Sequence, residues 1–348
     1  MDPTRCKSIY VTSCSILTIL VCSQRAEIRD RCCCPTLMLA GGGPWLGVLG
    51  GVFTDKIIVQ RLTSLMWIAE SSTEEDAQIY DAARVFVALR KSLEQLTTFY
   101  EKIGQSKIPR VINGQTHPRF YPYPTSFTVD KQTFHFQYLK PMEDHVACET
   151  YLAKLFDRPG NIVVKFVSRY SKEVHEFLAN KNYAPHLRYY GPMPNAPSSP
   201  PRPKNAPAGL AFGFMQMVVM DYIVPSLDRP TDARQQIRDV LFTLHASGYV
   251  FGDLREPNIL FDADHKIKLI DFNWCGRYDP DMEILDSAIP ADVRKIVDEN
   301  KSSFPKLPLN EYAHYPSNLS TSIEWPADVG CLKSIRPQHD WLMWNKIS

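Results

Sequence analysis

The sequence predicts an α+β chain with a mostly helical N-terminal region, and three patterns carry that prediction. Apolar residues Ile79, Ala82, Phe86, Leu89, Leu93, Leu96, Tyr100 and Ile103 recur in steps of three and four, the spacing of one helix face. Residues 133–139 alternate Phe134, Phe136 and Tyr138 with polar neighbours, the period of a half-buried strand. Residues 258–261 and 267–270 are short apolar runs separated by the polar turn Asp262-Ala263-Asp264-His265, the outline of a β-hairpin.

With 348 residues, 44% of them hydrophobic, the chain is long enough for two domains of ordinary globular composition. Composition shifts divide it into a mostly helical region at 1–109, a linker at 110–130 and a second domain at 131–348. A net charge of +1 gives no electrostatic case for binding nucleic acid or an anionic membrane. The nine cysteines form no C-x-x-C pair, and six of them precede residue 35, so neither a zinc site nor a redox dithiol is indicated.

Residues 9–22 have the outline of a signal peptide, but Thr12, Ser13, Ser15 and Thr18 dilute the apolar run, and the reading is a cytoplasmic chain. Residues 32–54 carry no charge, yet Gly41-Gly42-Gly43-Pro44 and Gly50-Gly51 interrupt them. A buried hairpin or helix pair is expected there rather than a membrane span. Ser72 with Glu75 forms a capping box for the long helix, which Gly104 ends. That helix, 74–103, packs by default on the preceding segment or on the second domain, and a helix-mediated protein partner remains open.

In the second domain, residues 162–167 are an apolar run with one cation, Lys165, in the middle. Lysine is seldom buried unless paired, although a snorkelling side chain on an edge strand would look the same. A helix over 172–180 offers Glu173 and Glu176 as partners. Residues 217–223 read as a buried strand, and the Pro-rich stretch at 192–209 as a disordered loop. Asp253, Asn258 and Asp271 then follow at fixed spacing around the hairpin. Phosphoryl transfer asks for a carboxylate to orient the acceptor hydroxyl and for oxygen ligands to hold Mg²⁺ against phosphates. Asp253 fits the first task, and Asn258 with Asp271 the second. Taken singly, each Asp would be an ordinary turn residue.

This spacing resembles the catalytic loop and the Asp-Phe-Gly of the protein-kinase-like superfamily, with Asp271-Phe272-Asn273 in place of the latter. The likeness is closest to a group of fungal kinase-like proteins, in residues 163–185, 252–276 and 315–340. It implies a two-lobed fold, sheet lobe first, with a truncated C-terminal lobe, because only 77 residues follow Asp271. It also implies ATP and Mg²⁺ as cofactors and transfer of the γ-phosphate to a hydroxyl of a protein or small molecule. Lys165 would contact the α- and β-phosphates and Glu173, rather than Glu176, would hold it. Met220 would be the gatekeeper, with the Asp221 carbonyl and the Ile223 amide facing adenine. Arg255 would sit near the γ-phosphate, Asn258 and Asp271 would ligate the metal, and Asp340 would brace the catalytic loop.

Departures from the pattern matter equally. The turn expected over the phosphates, 139–146, has no glycine to let backbone amides approach. Phe251-Gly252 replaces His-Arg before Asp253, and residues 278–313 read as an insertion, a loop. These departures keep a pseudokinase, a nucleotide-binding or structural interaction module, as the alternative. The phosphate acceptor is not legible in the sequence.

Overall fold

The computed structural model describes residues 26–54, 57–69, 75–105, 117–143, 148–194, 196, 198–199, 201–204, 206–282 and 289–347. The chain divides into two compact units, 1–123 and 124–348. The signal-like run at 9–22 and the capping residue Ser72 lie outside the described residues. Among the described residues no helix is long and apolar enough to cross a membrane.

In the first unit, α1 (Ala26–Arg29) leads into β1 (Thr36–Gly42), β2 (Trp45–Phe53), β3 (Ile57–Arg61) and β4 (Met66–Trp67). The strands form one antiparallel sheet, with β2 pairing β1, β3 and β4. The uncharged stretch at 32–54 is therefore the hairpin and not the helix pair. Helix-interior glycine costs about 1 kcal/mol against alanine, whereas Gly43, at φ +57, makes the two-residue turn that closes β1 on β2. The region expected to be mostly helical thus carries a four-stranded sheet beside its helix.

That helix, α2 (Glu75–Gln105), runs 31 residues. Its last turns pack on the sheet side of the unit: Ile103 is buried with Cys32 and Cys34, and the Tyr100 hydroxyl donates to the Pro35 carbonyl at 2.7 Å. Leu37, Val52, Ile58, Leu62, Leu96 and Phe99 line a cavity of about 500 Å³ between strands and helix. Arg119, expected in a linker, is buried here, donating to the Arg29 carbonyl at 2.7 Å and to the Thr54 carbonyl at 2.6 Å from Nη2.

The second unit opens with β5 (Ser126–Val129), a strand where the sequence reading placed linker. It pairs with β6 (Gln132–Pro141), followed by β7 (Thr150–Leu155), β8 (Asn161–Val167), α3 (Lys172–Ala179), β9 (Leu187–Pro192) and β10 (Gln216–Asp221). The sheet order is β5-β6-β7-β8-β10-β9, every neighbour antiparallel. The chain then turns helical with α4 (Ala233–His245), α5 (Ala291–Asn300) and α6 (Pro337–Trp344), interleaved with the short strands β11 (Tyr249–Val250), β12 (Ile259–Phe261), β13 (Ile267–Leu269) and β14 (Gly276–Arg277). Sheet and helices in segregated runs make this an α+β unit.

One expectation for a loop is corrected in this unit. The described part of 278–313 is not a peripheral loop, because Ile289, Val293 and Val297 enter the same core cluster as α4, Phe251 and Leu254. The amphipathic face of α5 explains it, with Val293 and Val297 one turn apart. The described part of the Pro-rich segment is held by arginines: Arg202 donates to the Pro207 carbonyl at 2.7 Å and Arg169 to the Gly209 carbonyl at 2.8 Å.

Candidate active site

The hairpin β12–β13 carries the site. Its register sets Ile259 opposite Leu269, and the Ile270 amide donates to the Asn258 carbonyl at 3.0 Å, returning the chain to Asn258 one residue before Asp271. Asp271 takes φ +68, a left-handed conformation that Asp tolerates better than most residues and that is enriched at functional sites.

Asp253 is nearly buried, and its carboxylate is tied down from two sides. Arg255 grips it bidentately, Nε on Oδ1 and Nη2 on Oδ2, the latter at 2.7 Å, while Asn258 Nδ2 donates to Oδ2 at 2.9 Å. The same Nδ2 also donates to the Asp253 carbonyl at 2.9 Å. Because both acceptors can only accept, the amide orientation is forced, both Nδ2 hydrogens are spent, and Asn258 Oδ1 is left as a ligand oxygen. On Asp253, Oδ2 receives two bonds and Oδ1 one, so among the described residues Oδ1 keeps a lone pair. The Arg255 guanidinium lies 5.7 Å from the centroid of the Trp325 ring. The sequence reading placed Arg255 near the γ-phosphate; here its fork is committed to Asp253, and that bond is the chief cause that raises its pKa.

Lys165, in mid-β8 between Thr150 and Val218, extends to Asp271, with Nζ 2.9 Å from Oδ1. The expected pair with Glu173 does not form. Glu173 accepts instead from the Tyr249 hydroxyl at 2.6 Å and from Arg277 Nη2, and Glu176 pairs with Lys172 at 3.6 Å. The reason lies in the helix: α3 has eight residues, and Val174, His175 and Leu178 occupy its buried face, leaving both glutamates on the flanks.

His175 takes the inward place. Its ring stacks on Phe272 at 4.4 Å and 7°. Nε2 donates to the Pro185 carbonyl at 2.8 Å, so Nδ1 accepts from the Tyr170 hydroxyl at 2.7 Å. Burial pushes its pKa down to about 4, the Pro185 carbonyl opposing in part. Phe272 also meets Phe251 and Tyr170 edge-on, at 5.8 and 6.1 Å. Nothing in the spacing of the sequence marks His175; its pattern is that of any buried helix position.

Asp340, fully buried on α6, holds the other side of the loop that leads to Asp253. It accepts from the Phe251 amide at 2.8 Å, the Gly252 amide at 2.7 Å and His245 Nε2 at 3.1 Å. Trp341 Nε1 donates to His245 Nδ1 at 2.9 Å, and since indole only donates, the His245 proton sits on Nε2, facing Asp340. Gly252 is required here at φ +84, and a Cβ would come within 2.8 Å of Ile335.

Of the expected adenine contacts, Met220 is buried, opposite Val163. The Asp221 carboxylate is bound by Arg188, and Ile223 lies just past the end of β10. Of the glycine-free turn, 144–146 lie outside the described residues.

The donor set suits Mg²⁺. Asp271 Oδ1 is buried without a directed hydrogen bond although it faces Lys165, and the ligand oxygen of Asn258 is the second hard donor. Among the described residues no group of three or more His, Cys, Asp and Glu side chains gathers for a metal.

No protein-family model matches the chain. A local stretch is similar to the maternal embryonic leucine zipper kinase of Danio rerio, 38% identical over 64 residues that cover 17% of this chain. The match spans 9% of that kinase's length.

Proposed function

We propose that the second unit is a two-lobed kinase-like domain that transfers the γ-phosphate of ATP to a hydroxyl acceptor in the presence of Mg²⁺. The observation that carries this reading is the Asp253 carboxylate, fixed by Arg255 and Asn258 with one lone pair of Oδ1 left over, beside a Lys165–Asp271 pair. The local kinase similarity supports the class and says nothing of the acceptor. In this reading β10 and the residues after it meet adenine, Lys165 meets the phosphates, and Asn258 with Asp271 would hold Mg²⁺, which supplies charge neutralisation at the phosphates. Asp253 Oδ1 orients the acceptor hydroxyl and takes its proton. Arg255 keeps the carboxylate in place.

A pseudokinase is the second reading, and one observation favours it: Glu173 serves Tyr249 and Arg277 and leaves Lys165 to Asp271. The two readings separate in one experiment. Incubation with labelled ATP and Mg²⁺ against protein, lipid and sugar pools yields labelled product if the chain is a kinase. A nucleotide-dependent rise in melting temperature with no transfer to any pool supports the pseudokinase. No shift at millimolar nucleotide removes both nucleotide readings.

A further inference from the structure

We infer that Cys32 and Cys34 form a dithiol site of the first unit that reduces a hydroperoxide and closes to a disulfide in doing so. The sequence offers no C-x-x-C pair, but the turn between α1 and β1 folds a C-x-C pair onto itself. Cys34 takes φ +46, a left-handed conformation uncommon outside glycine, and its amide comes back to donate to the Cys32 sulfur at 3.4 Å. The Cys34 thiol reaches the same sulfur and lies 3.7 Å from the Cys32 carbonyl. Two residues apart, the Cα atoms are separated by at most ~7 Å, close to the span of a disulfide. Both are free thiols, buried in one cluster with Ile103.

The surroundings give the two sulfurs different roles. Arg119 brings a buried cation to the pair, and among the described residues its hydrogen bonds go to the Arg29 and Thr54 carbonyls, none to a carboxylate that would neutralise it. The bond from the Cys34 thiol, then the Cys34 amide and the Arg119 charge, hold the Cys32 thiol at about 7 against an ordinary 9.0, with burial opposing. Donating that bond, together with burial, pushes Cys34 up, so it keeps its proton. A thiolate beside a protonated thiol is a pair of attacking and resolving cysteines. The Cys32 thiolate attacks the hydroxyl oxygen of ROOH; the S–O bond forms, the O–O bond breaks, and the alkoxide leaves and takes a proton from water. Cys34 then attacks the Cys32 sulfur, and the hydroxide expelled from the sulfenic acid leaves with the Cys34 proton as water. Two thiols are oxidised and one peroxide is reduced. Exposures of 6% for Cys32 and 3% for Cys34 shut out a protein disulfide and select a small oxidant.

The test uses the full chain, reduced and freed of reductant, with hydrogen peroxide as probe at pH 7. Free thiols are then blocked with N-ethylmaleimide, and trypsin, cutting after Arg31 and Lys56, releases residues 32–56 as one peptide. That peptide should be lighter by two hydrogens, carry N-ethylmaleimide on Cys33 alone, and return to three free thiols with dithiothreitol. It should form at least ~5-fold faster than the exposed Cys331 is oxidised, because a thiolate fraction ~50-fold above that of an ordinary thiol is offset only in part by lower nucleophilicity. Cys34→Ser should stop at a Cys32 sulfenic acid that dimedone traps, and Cys33→Ser should still form the disulfide. Wild-type protein that takes N-ethylmaleimide on all three cysteines after peroxide overturns the inference. A wild-type disulfide through Cys33, or oxidation of Cys331 first, overturns it as well.

Discussion

Lowering the pH should act on the site through His175. The ring is fully buried, and its pKa falls from an ordinary 6.5 to about 4, chiefly through burial. In the unfolded chain the imidazole takes its proton near the ordinary value, so between these limits the unfolded state binds more protons. Stability therefore rises with pH, being present in full above about 6.5 and lost as pH falls toward about 4. At about 1.4 kcal/mol per pH unit this single group removes ~2 kcal/mol by about pH 5 and ~3 kcal/mol by about pH 4. For a unit of this size ~2 kcal/mol corresponds to a melting temperature lower by ~4–8 °C. Burial also lowers the pKa of His314 and His339, so the wild-type slope has several contributors. His175→Gln separates them: glutamine keeps a donor for the Pro185 carbonyl and an acceptor for the Tyr170 hydroxyl but does not titrate. Urea unfolding followed by tryptophan fluorescence at pH 7.5 and pH 5 should show the variant less stable at the higher pH, with the gap narrowing by ~2 kcal/mol at the lower. Parallel pH profiles for the two proteins would refute the argument.

Three further outcomes are expected. Asp253→Ala should cut transfer of labelled phosphate at least ~1000-fold while keeping the ATP- and Mg²⁺-dependent melting shift, and an active variant would remove Asp253 from the chemistry. Asp271→Ala should abolish the Mg²⁺-dependent part of that shift, which reaches ~2.7 kcal/mol at a hundredfold excess over the dissociation constant, and should lower the ligand-free melting temperature because Lys165 loses its partner. Asp340→Ala strips the acceptor from three buried donors, so unfolding free energy should fall by ~3 kcal/mol or more, and a change below ~1 kcal/mol would mean that water replaces the carboxylate.

Some of this arrangement is legible in the sequence because it is local. The hairpin around Asp262 is written in two apolar runs and a polar turn, and its register alone returns Asn258 beside Ile270. Lys165 is visible as a charge inside an apolar strand. Its partner is not, because choosing among Glu173, Glu176 and Asp271 requires knowing which way a two-turn helix faces, and the inward face belongs to Val174, His175 and Leu178. The first sheet escapes for another reason: residues 36–53 are apolar and glycine-rich on both strands, without a two-residue alternation to tell strand from buried helix. The brace from Asp340 leaves no local trace, and only the resemblance to kinase-like proteins pointed to it.

That brace also sets an order of events during synthesis. The amides of Phe251 and Gly252 find their acceptor 89 and 88 residues further along the chain. A ribosome that has completed the β12–β13 hairpin therefore holds a chain whose 251–253 loop still lacks the group that fixes its backbone. At ~5–20 residues per second, several seconds pass before that group is made. Until then Phe251 and Phe272, which end in the core, lack the packing that buries them, and the loop before Asp253 takes its final shape only after residue 340 has been made.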